Sequence, residues 1–241
     1  MSRFCSLIII FFFVSCSTDT LSEEETLNTI LGFKDIVLDN VISCAASNKD
    51  DKLVSVFLYP RPGATNIQYF ETSNDLVDKN NFDNYTLHEY PLTDVFNGYL
   101  KKFEVESLNE KWVIVSFDED GKTHLSNPIH LKQQSKPTQY LPQNIMVDAS
   151  SGMPFFSWQD GLYNDTAIYF QVVSDAQGNL LSGTYTFDRT FTYYKLDNVV
   201  LNITKSTPPV LSDGNPYEFT LMGVSEDNWV NQFSIIEFEL K

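Results

Sequence analysis

The amino-acid sequence predicts an all-β protein that folds as two tandem β-sandwiches. From about residue 30 onward, short runs of alternating apolar and polar residues are separated by turn residues, and almost no stretch shows a helical period. The 241 residues suffice for two domains of roughly 100–120 residues each. The chain contains 19 Phe and 12 Tyr, which supply large side chains for two hydrophobic cores.

The composition also argues against several classes of protein and partner. The 32 acidic and 16 basic residues give a formal charge of −16, which argues against DNA or RNA because phosphate binding needs a basic surface. With 42% apolar and 14% aromatic residues, the chain differs from a disordered acidic tail. Three His and three Cys supply few metal ligands, so the sequence predicts no cofactor and no metal site.

Residues 1–15 have the features of an export signal. Arg3 provides the positive end, and residues 7–14 form an apolar run that is shorter than the ~20 residues of a membrane-spanning helix. Residues 13–16 (Phe-Val-Ser-Cys) resemble the lipobox of bacterial lipoprotein precursors, which implies lipid attachment at Cys16. An ordinary secretory signal followed by an incidental cysteine is the alternative.

The cysteines fit the lipoprotein interpretation. Cys5 leaves with the signal and Cys16 takes the acyl chains, so Cys44 remains without a partner for an internal disulfide. Cys44 lies in an apolar, strand-like run and has no His or Lys beside it in the sequence. We therefore expect a small buried side chain there rather than a nucleophile.

An acidic tether is predicted at residues 16–29. Its start, with Asp19 and a run of three Glu, resembles the acidic export tag that follows the lipidated cysteine in surface lipoproteins of Bacteroidota. Ser17 follows Cys16 where an inner-membrane lipoprotein of enteric bacteria carries Asp. The resemblance implies a lipid anchor in the outer membrane, with the cell surface favoured and the periplasmic face left open.

The first sandwich is predicted at residues 30–133 and the second at residues 138–241. Residues 132–138 contain no apolar side chain and mark the boundary between them. The predicted strands of the first half are 36–38, 41–46, 54–59, 67–71, 100–106, 112–117 and 129–131. Those of the second half are 145–147, 155–158, 167–173, 183–187, 199–203, 219–224 and 233–240. Turn signals stand at residues 120–121, 160–161 and 177–179.

The second half contains a recognisable pattern. Leu211, Gly214 and Tyr217 match the L-x-P-G-x-x-Y-x-V segment that enters strand F of fibronectin type III domains, with Asp213 in place of the proline. In that family the tyrosine packs its ring and hydrogen-bonds backward to the backbone. Trp158 matches the core tryptophan of strand B, and the resemblance covers residues 138–241.

The first half is similar to the same family over a shorter stretch. Residues 112–129 resemble the F–G hairpin of a fibronectin type III or related Ig-like domain, although the loop glycine is missing. The resemblances together imply two tandem Ig-like (fibronectin type III-like) β-sandwiches after a lipoprotein signal peptide.

The candidate site residues are few. No nucleophile elbow, metalloprotease helix or phosphate-binding glycine loop is present, so we predict no enzymatic activity. A hydrolase that uses His124 or His130 is an alternative. Acidic loops at residues 118–121 and 160–165 carry oxygen ligands suited to calcium, and solubilising hairpin tips have the same composition.

Two aromatic residues near turns are candidate ligand contacts. Trp229 lies among polar residues, and Tyr163 follows a turn signal. If such rings are exposed they can stack on sugars, whereas buried rings would cover sheet edges and the contact between domains. Thr20 and Thr166 stand in Asp-Thr-apolar triplets that resemble the acceptor motif for O-glycosylation in Bacteroidota.

The sequence therefore predicts a non-catalytic, membrane-anchored lipoprotein that serves as a protein-interaction or scaffold module of an outer-membrane or cell-surface complex. Its expected partners are the membrane, through the N-terminal lipid, and a protein of the outer membrane. The alternative is a glycan-binding accessory lipoprotein of a polysaccharide uptake system.

Overall fold

The computed structural model describes residues 25–240, which fold almost entirely as β-strands. Within that range there are nineteen strands, one short α-helix and two 3-10 turns, which confirms the all-β prediction. The predicted signal peptide, the lipid-bearing Cys16 and the glycosylation candidate Thr20 lie outside the described residues.

The first half folds as a sandwich of two sheets. Its strands are β1 (Ile36–Val41), β2 (Ser43–Ser47), β3 (Leu53–Leu58), β4 (Thr65–Glu71), β5 (Thr86–His88), β6 (Leu92–Val95), β7 (Leu100–Glu106), β8 (Lys111–Glu119), β9 (Lys122–Ser126) and β10 (Ile129–Leu131). One sheet has the order β2-β3-β7-β6, and the other has the order β1-β9-β8-β4-β5 with β10 also paired to β8. The first strand, β1, runs parallel to β9, whereas the remaining pairs are antiparallel.

The second half is also an Ig-like sandwich of two sheets. Its strands are β11 (Gln139–Tyr140), β12 (Ile145–Asp148), β13 (Phe155–Trp158), β14 (Thr166–Asp175), β15 (Leu180–Thr186), β16 (Thr190–Thr192), β17 (Val199–Asn202), β18 (Pro216–Ser225) and β19 (Val230–Glu239). A three-stranded sheet, β12-β13-β16, faces a six-stranded sheet of order β11-β19-β18-β14-β15-β17. Here too the first strand, β11, runs parallel to the last one, β19.

The strands that the sequence did not predict are mostly short. These are β5, β6, β11 and β16, with two to four residues each. A strand of that length has no alternation of its own, because it forms where a neighbour offers hydrogen bonds. The strand predicted at residues 129–131 is β10, and β9, which also pairs with β8, is a further strand that the sequence did not predict.

The prediction that the tether extends to residue 29 is wrong at its described end. Helix α1 (Leu27–Leu31) begins after Thr26, whose side chain accepts a hydrogen bond from Thr29 N at 3.3 Å. Leu27 and Leu31 are buried, and together with Tyr85 they cover the outer face of the β1-β9-β8-β4-β5 sheet. The free energy gained by burying these leucines orders the chain here, although the residues before them are polar.

Two turn motifs in the sequence form the predicted structures. Asp120 and Gly121 both adopt positive φ, 50° and 77°, as a two-residue hairpin turn between β8 and β9 requires. Tyr217 makes the corner that the fibronectin resemblance implies. Its ring is buried, and its hydroxyl accepts a hydrogen bond from Ser212 N at 2.9 Å. Trp158 is buried in the same core.

A third hydrophobic core, which we call the junction core, joins the two sandwiches. The outer face of the β2-β3-β7-β6 sheet packs there against the outer face of β14, β18 and β19. The buried members are Ala46, Leu100, Phe170, Val172, Ile203, Met222, Val224 and Val230. Strands β14 and β18 are therefore covered on both faces, by their own sandwich core on one side and by the junction core on the other.

The linker at residues 132–138 is hydrogen-bonded to the first sandwich. Gln133 Nε2 donates to the Lys52 carbonyl at 2.8 Å. Thr138 N donates to Ser47 Oγ at 3.2 Å, and Ser47 N donates to Thr138 Oγ1 at 2.9 Å. These bonds hold the polar linker against the first sandwich, which positions the second one beside it.

Trp229 belongs to the second half in sequence but is buried in the core of the first. It is 0% exposed, and it is a member of the same core cluster as Ala45 and Tyr69. Its Nε1 donates to the Lys136 carbonyl at 2.7 Å, and its backbone forms a parallel bridge with Ala45. The neighbouring Asn228 carbonyl accepts from Ala45 N at 3.0 Å. The β18–β19 hairpin therefore inserts its tip into the first sandwich.

No helix among residues 25–240 has the length and apolar character needed to cross a membrane.

Removal of the Trp229 indole should destabilise both halves together. Because the ring is fully buried in the core of the first half while its backbone belongs to the second, we expect Trp229→Ala to lower the free energy of unfolding by about 3–5 kcal/mol. The measurement is urea unfolding followed by circular dichroism. Phe187→Ala, at a side chain that is 65% exposed, is the control and should change stability by less than about 0.5 kcal/mol. Equal effects of the two changes would contradict the role of Trp229.

Loss of the Tyr217 hydroxyl should cost about 1 kcal/mol, since it removes the acceptor for Ser212 N and leaves the ring in place. Thermal and urea unfolding of Tyr217→Phe measure this change. Tyr194→Phe removes a hydroxyl from a ring that is exposed, and it should leave the midpoint unchanged.

Candidate functional site

A group of exposed large side chains lies on the outside of the three-stranded β12-β13-β16 sheet. Met146 and Phe155, in β12 and β13, are 62% and 42% exposed; Met153, in the bend before β13, and Tyr194, in the turn after β16, are each 44% exposed, and we call these four residues the outer apolar face. Strand β13 alternates strictly: Phe156 points into the core, so its neighbour Phe155 points out. Contiguous exposed apolar residues on a folded domain mark interaction surfaces.

The strand register places Met146 and Phe155 on one face of the sheet. Phe155 pairs with Thr192, and Tyr193 N donates to the Pro154 carbonyl at 2.9 Å, which holds the turn that carries Tyr194 beside the segment that carries Met153. On the other side of β13, Met146 pairs with Ser157, so Met146 and Phe155 are diagonal neighbours.

Both borders of this sheet are edge strands. Strand β13 is the middle strand, and β12 and β16 each have one strand neighbour in the described structure. An edge strand presents backbone donors and acceptors that a partner strand can pair with. In β16 the outward carbonyls of Thr190 and Thr192 already accept hydrogen bonds from Asn198 Nδ2 and Lys195 N, so β12 is the border that offers an edge for strand addition.

A cleft at the junction of the two halves is the second candidate site. The cavity measures about 490 Å³, and Tyr59 and Tyr99 form one wall with their rings stacked at 5.6 Å between centroids. Tyr99 Oη donates to the Ile203 carbonyl at 2.5 Å, which ties this wall to the second half. The Lys205 ammonium lies 5.7 Å from the centre of the Tyr59 ring. We call this cavity the junction cleft.

The cations of the junction cleft differ in their partners. Arg61 binds Glu119 at 2.6 Å, and Lys101 binds Asp94 at 2.5 Å. Lys205 contacts the face of Tyr59 and has no carboxylate within ion-pair distance among the described residues. Partial burial raises the pKa of Tyr59 and Tyr99, so both keep their hydroxyl protons at neutral pH. The cleft thus combines an aromatic wall, a free ammonium and hydroxyl groups.

The turn that borders the junction cleft has an unusual backbone. Phe96, Asn97 and Gly98 all adopt positive φ, between 51° and 86°. Asn97 Nδ2 donates to the Gln177 carbonyl at 3.1 Å and to Asn179 Oδ1 at 2.8 Å. The strained turn is held by contacts with the second half, which keep the mouth of the cleft in place.

Trp229 and Tyr163, the two aromatic residues predicted as ligand contacts, both contact the linker, and ligand contact at Tyr163 stays a prediction. The prediction for Trp229 is wrong, because its ring is fully buried and offers no face to a ligand. Tyr163 is half-buried: its hydroxyl donates to the Pro137 carbonyl at 3.2 Å, and the Lys136 ammonium lies 4.8 Å from the ring centre. Both side chains contact Lys136, so both brace the linker.

Thr166, the predicted O-glycosylation acceptor, is the first residue of β14 and is half-buried. Its Oγ1 accepts a hydrogen bond from Asn231 Nδ2 at 3.0 Å. The preceding Asp165 binds the Lys136 ammonium at 2.6 Å, and this ion pair, together with a bond from Asn231, outweighs partial burial and lowers the pKa of the carboxyl group. Glycosylation at Thr166 stays a prediction.

Both acidic loops that were candidates for calcium binding contain an aspartate that accepts hydrogen bonds from protein side chains. Asp118 accepts from Asn66 at 2.9 Å and from Thr123 at 2.7 Å. Asp160 binds Arg189 and accepts from Tyr169 Oη, both at 2.5 Å. These donors occupy carboxylate oxygens that a cation would need.

His124 and His130 belong to different clusters. His124 Nδ1 lies 2.9 Å from both Asn40 Oδ1 and a guanidinium nitrogen of Arg61, and its Nε2 lies 3.8 Å from Glu119. His130 stacks on an indole and is surrounded by carboxylates. Neither cluster contains a Ser or Cys nucleophile hydrogen-bonded to the ring, which a hydrolase of the Ser-His or Cys-His kind needs.

No protein-family model matches the chain, and no curated protein does. Among solved structures, the FN1–FN3 domains of chicken CNTN1 align with 86% of this chain and 65% of their own length, at 12% identity and a TM-score of 0.31. A BSP domain of a biofilm associated protein aligns with 89% of this chain and 31% of its own length, at 13% identity and a TM-score of 0.27. The chain spans less than two thirds of either structure.

Cys44 should be unreactive in the folded chain. Its half-buried side chain packs on the junction core, and the loss of water around the thiol raises its pKa to about 12. At pH 8 the thiolate fraction is therefore far below that of a free cysteine. We expect no labelling by a disulfide reagent in the native full chain carrying Cys5→Ser and Cys16→Ser, and complete labelling in urea. Rapid native labelling would contradict this placement.

Proposed function

We propose that this chain is a non-catalytic lipoprotein, anchored to the outer membrane through Cys16 and acting at the cell surface as a protein-interaction or scaffold module. The outer apolar face is the observation that carries the proposal. Met and aromatic residues are enriched at protein interfaces, and here two of them lie together on one exposed sheet, with two more in the adjoining segments and the β12 edge beside them.

The junction supports a scaffold role. Because β14 and β18 are buried on both faces, the second sandwich is held by the first across a continuous apolar contact. A partner on the outer apolar face would therefore be placed at a set orientation relative to the anchored end of the chain. Loosely linked domains, in contrast, move relative to one another.

The first test is a pull-down from detergent-solubilised outer membranes of cells that produce the protein. We expect one protein to be recovered in stoichiometric amount with the lipidated chain. Phe155→Asp should abolish its recovery, because a carboxylate on the outer apolar face opposes apolar contact. Phe187→Asp places the same charge at another exposed phenylalanine and should have no effect.

The Cys16→Ala variant separates anchoring from binding. It should lose membrane association and still bind the purified partner, since Cys16 lies outside the residues that form the outer apolar face. Recovery that survives Phe155→Asp, or that is lost equally in the Phe187→Asp control, would refute binding at this face.

A glycan-binding role in a polysaccharide uptake system is the second candidate, and the junction cleft favours it. Its stacked tyrosines and the free Lys205 ammonium suit a sugar that carries acidic groups. A glycan array probed with the full chain tests this role, with Tyr59→Ala as the cleft variant and Tyr194→Ala as the matched control. Binding that Tyr59→Ala does not weaken would exclude the cleft.

O-glycosylation of Thr166 and Thr20 is proposed on the sequence resemblance. Mass spectrometry of glycopeptides from the native host tests it. Unmodified peptides at both positions would refute it.

A further inference from the structure

Three potential metal ligands meet at one end of the first sandwich. His130 comes from β10, Glu110 directly precedes β8, and Asp75 lies in the loop after β4. His130 Nε2 is 3.7 Å from Asp75 Oδ2 and 3.6 Å from Glu110 Oε2, and all three ligand atoms lie within 4.8 Å of one another. The three residues are separated by 20 to 55 positions in the chain, so the fold alone brings them together.

The imidazole of His130 is fixed in orientation. Its ring stacks on Trp112 with 4.2 Å between centroids and an angle of 20° between planes. Trp112 Nε1 donates to the Asp75 carbonyl at 3.0 Å, so the same indole also fixes the loop that carries the Asp75 carboxylate. Two of the three ligands are thereby positioned by one side chain.

The other ring nitrogen has a carboxylate partner. His130 Nδ1 lies 3.4 Å from Asp227 Oδ2, and Asp227 is itself held by Lys132 at 2.6 Å and by Ser225 Oγ at 2.6 Å. A carboxylate at Nδ1 keeps the proton there and leaves the Nε2 lone pair free, which is the usual outer-shell arrangement of a metal-binding histidine.

His130 Nε2 is buried and has no hydrogen-bond partner among the described residues. A buried nitrogen in that state is costly unless something outside the protein binds it. Its distances to the two carboxylate oxygens are longer than a hydrogen bond allows. They are close to the roughly 3.4 Å that separates two ligand atoms bound to one tetrahedral ion at about 2.1 Å each. An open cavity lined by Lys79, Ser225 and Asp227 borders the carboxylate partner of His130 Nδ1.

We propose that Asp75, Glu110 and His130 bind a divalent transition-metal ion of the Zn²⁺ class, with Asp227 as a positioning residue. One imidazole nitrogen and two carboxylate oxygens suit Zn²⁺ better than Ca²⁺ or Mg²⁺, which prefer oxygen ligands alone. Because Asp227 belongs to the β18–β19 hairpin of the second half, the ion would also reinforce the junction. This site is independent of the outer apolar face and of the junction cleft.

Zinc titration of the full chain tests the proposal. Isothermal titration calorimetry on the chain carrying Cys5→Ser and Cys16→Ser avoids competing thiols and should show one saturable Zn²⁺ site per chain. His130→Ala should abolish binding, and Glu110→Gln should weaken it at least tenfold. His124→Ala is the matched control, since that ring also faces a glutamate at 3.8 Å, and it should bind Zn²⁺ as the parent does.

Asp227→Asn tests the positioning role. It should weaken Zn²⁺ binding by about 10- to 100-fold and shift the visible absorption spectrum of the Co²⁺-substituted protein, which a purely structural contact would leave unchanged. If His130→Ala fails to fold, Glu110→Gln carries the test, because it keeps the side-chain shape.

Three results would overturn the proposal. One is no saturable Zn²⁺ binding, and another is binding that is unaffected by both His130→Ala and Glu110→Gln. The third is NMR evidence that both ring nitrogens of His130 keep their protons at saturating Zn²⁺, which identifies the cluster as an ion pair of imidazolium with carboxylates.

Discussion

Burial of Trp229 is the interaction on which the arrangement of the two sandwiches depends. The indole fills space in the core of the first sandwich while its backbone continues the β18–β19 hairpin of the second. Its N–H is satisfied by the Lys136 carbonyl of the linker, so burial leaves no unpaired donor. With the ring in place, the linker, the hairpin tip and strand β2 are held in one contact, and the junction core closes beside it.

The junction also decides which surfaces remain for partners. It covers the outer faces of the β2-β3-β7-β6 sheet and of strands β14 and β18, and helix α1 covers the remaining large sheet of the first sandwich. The β12-β13-β16 sheet keeps an uncovered outer face, where Met146 and Phe155 are exposed. The junction cleft and the His130 cluster both form where the two halves meet, and each uses residues from both.

The features that the sequence predicts are those that depend on residues close together in the chain. Alternation along one strand is local, and so is the Asp120-Gly121 turn, which needs positive φ at two adjacent residues. The corner at Tyr217 spans five residues. Strand β14 is apolar on both faces, with Phe170 and Val172 on the face opposite Tyr169. This pattern in the sequence indicates a second packing surface.

The sequence by itself determined the all-β class, the positions of the longer strands and the Tyr217 corner, because these depend on residues close together in the chain. The tertiary structure decided the place of Trp229 and the meeting of Asp75, Glu110 and His130. Trp229 stands among polar residues since they form a hairpin tip, and only the approach of a distant sandwich covers the ring. The three ligands converge because antiparallel pairing brings distant strand ends together.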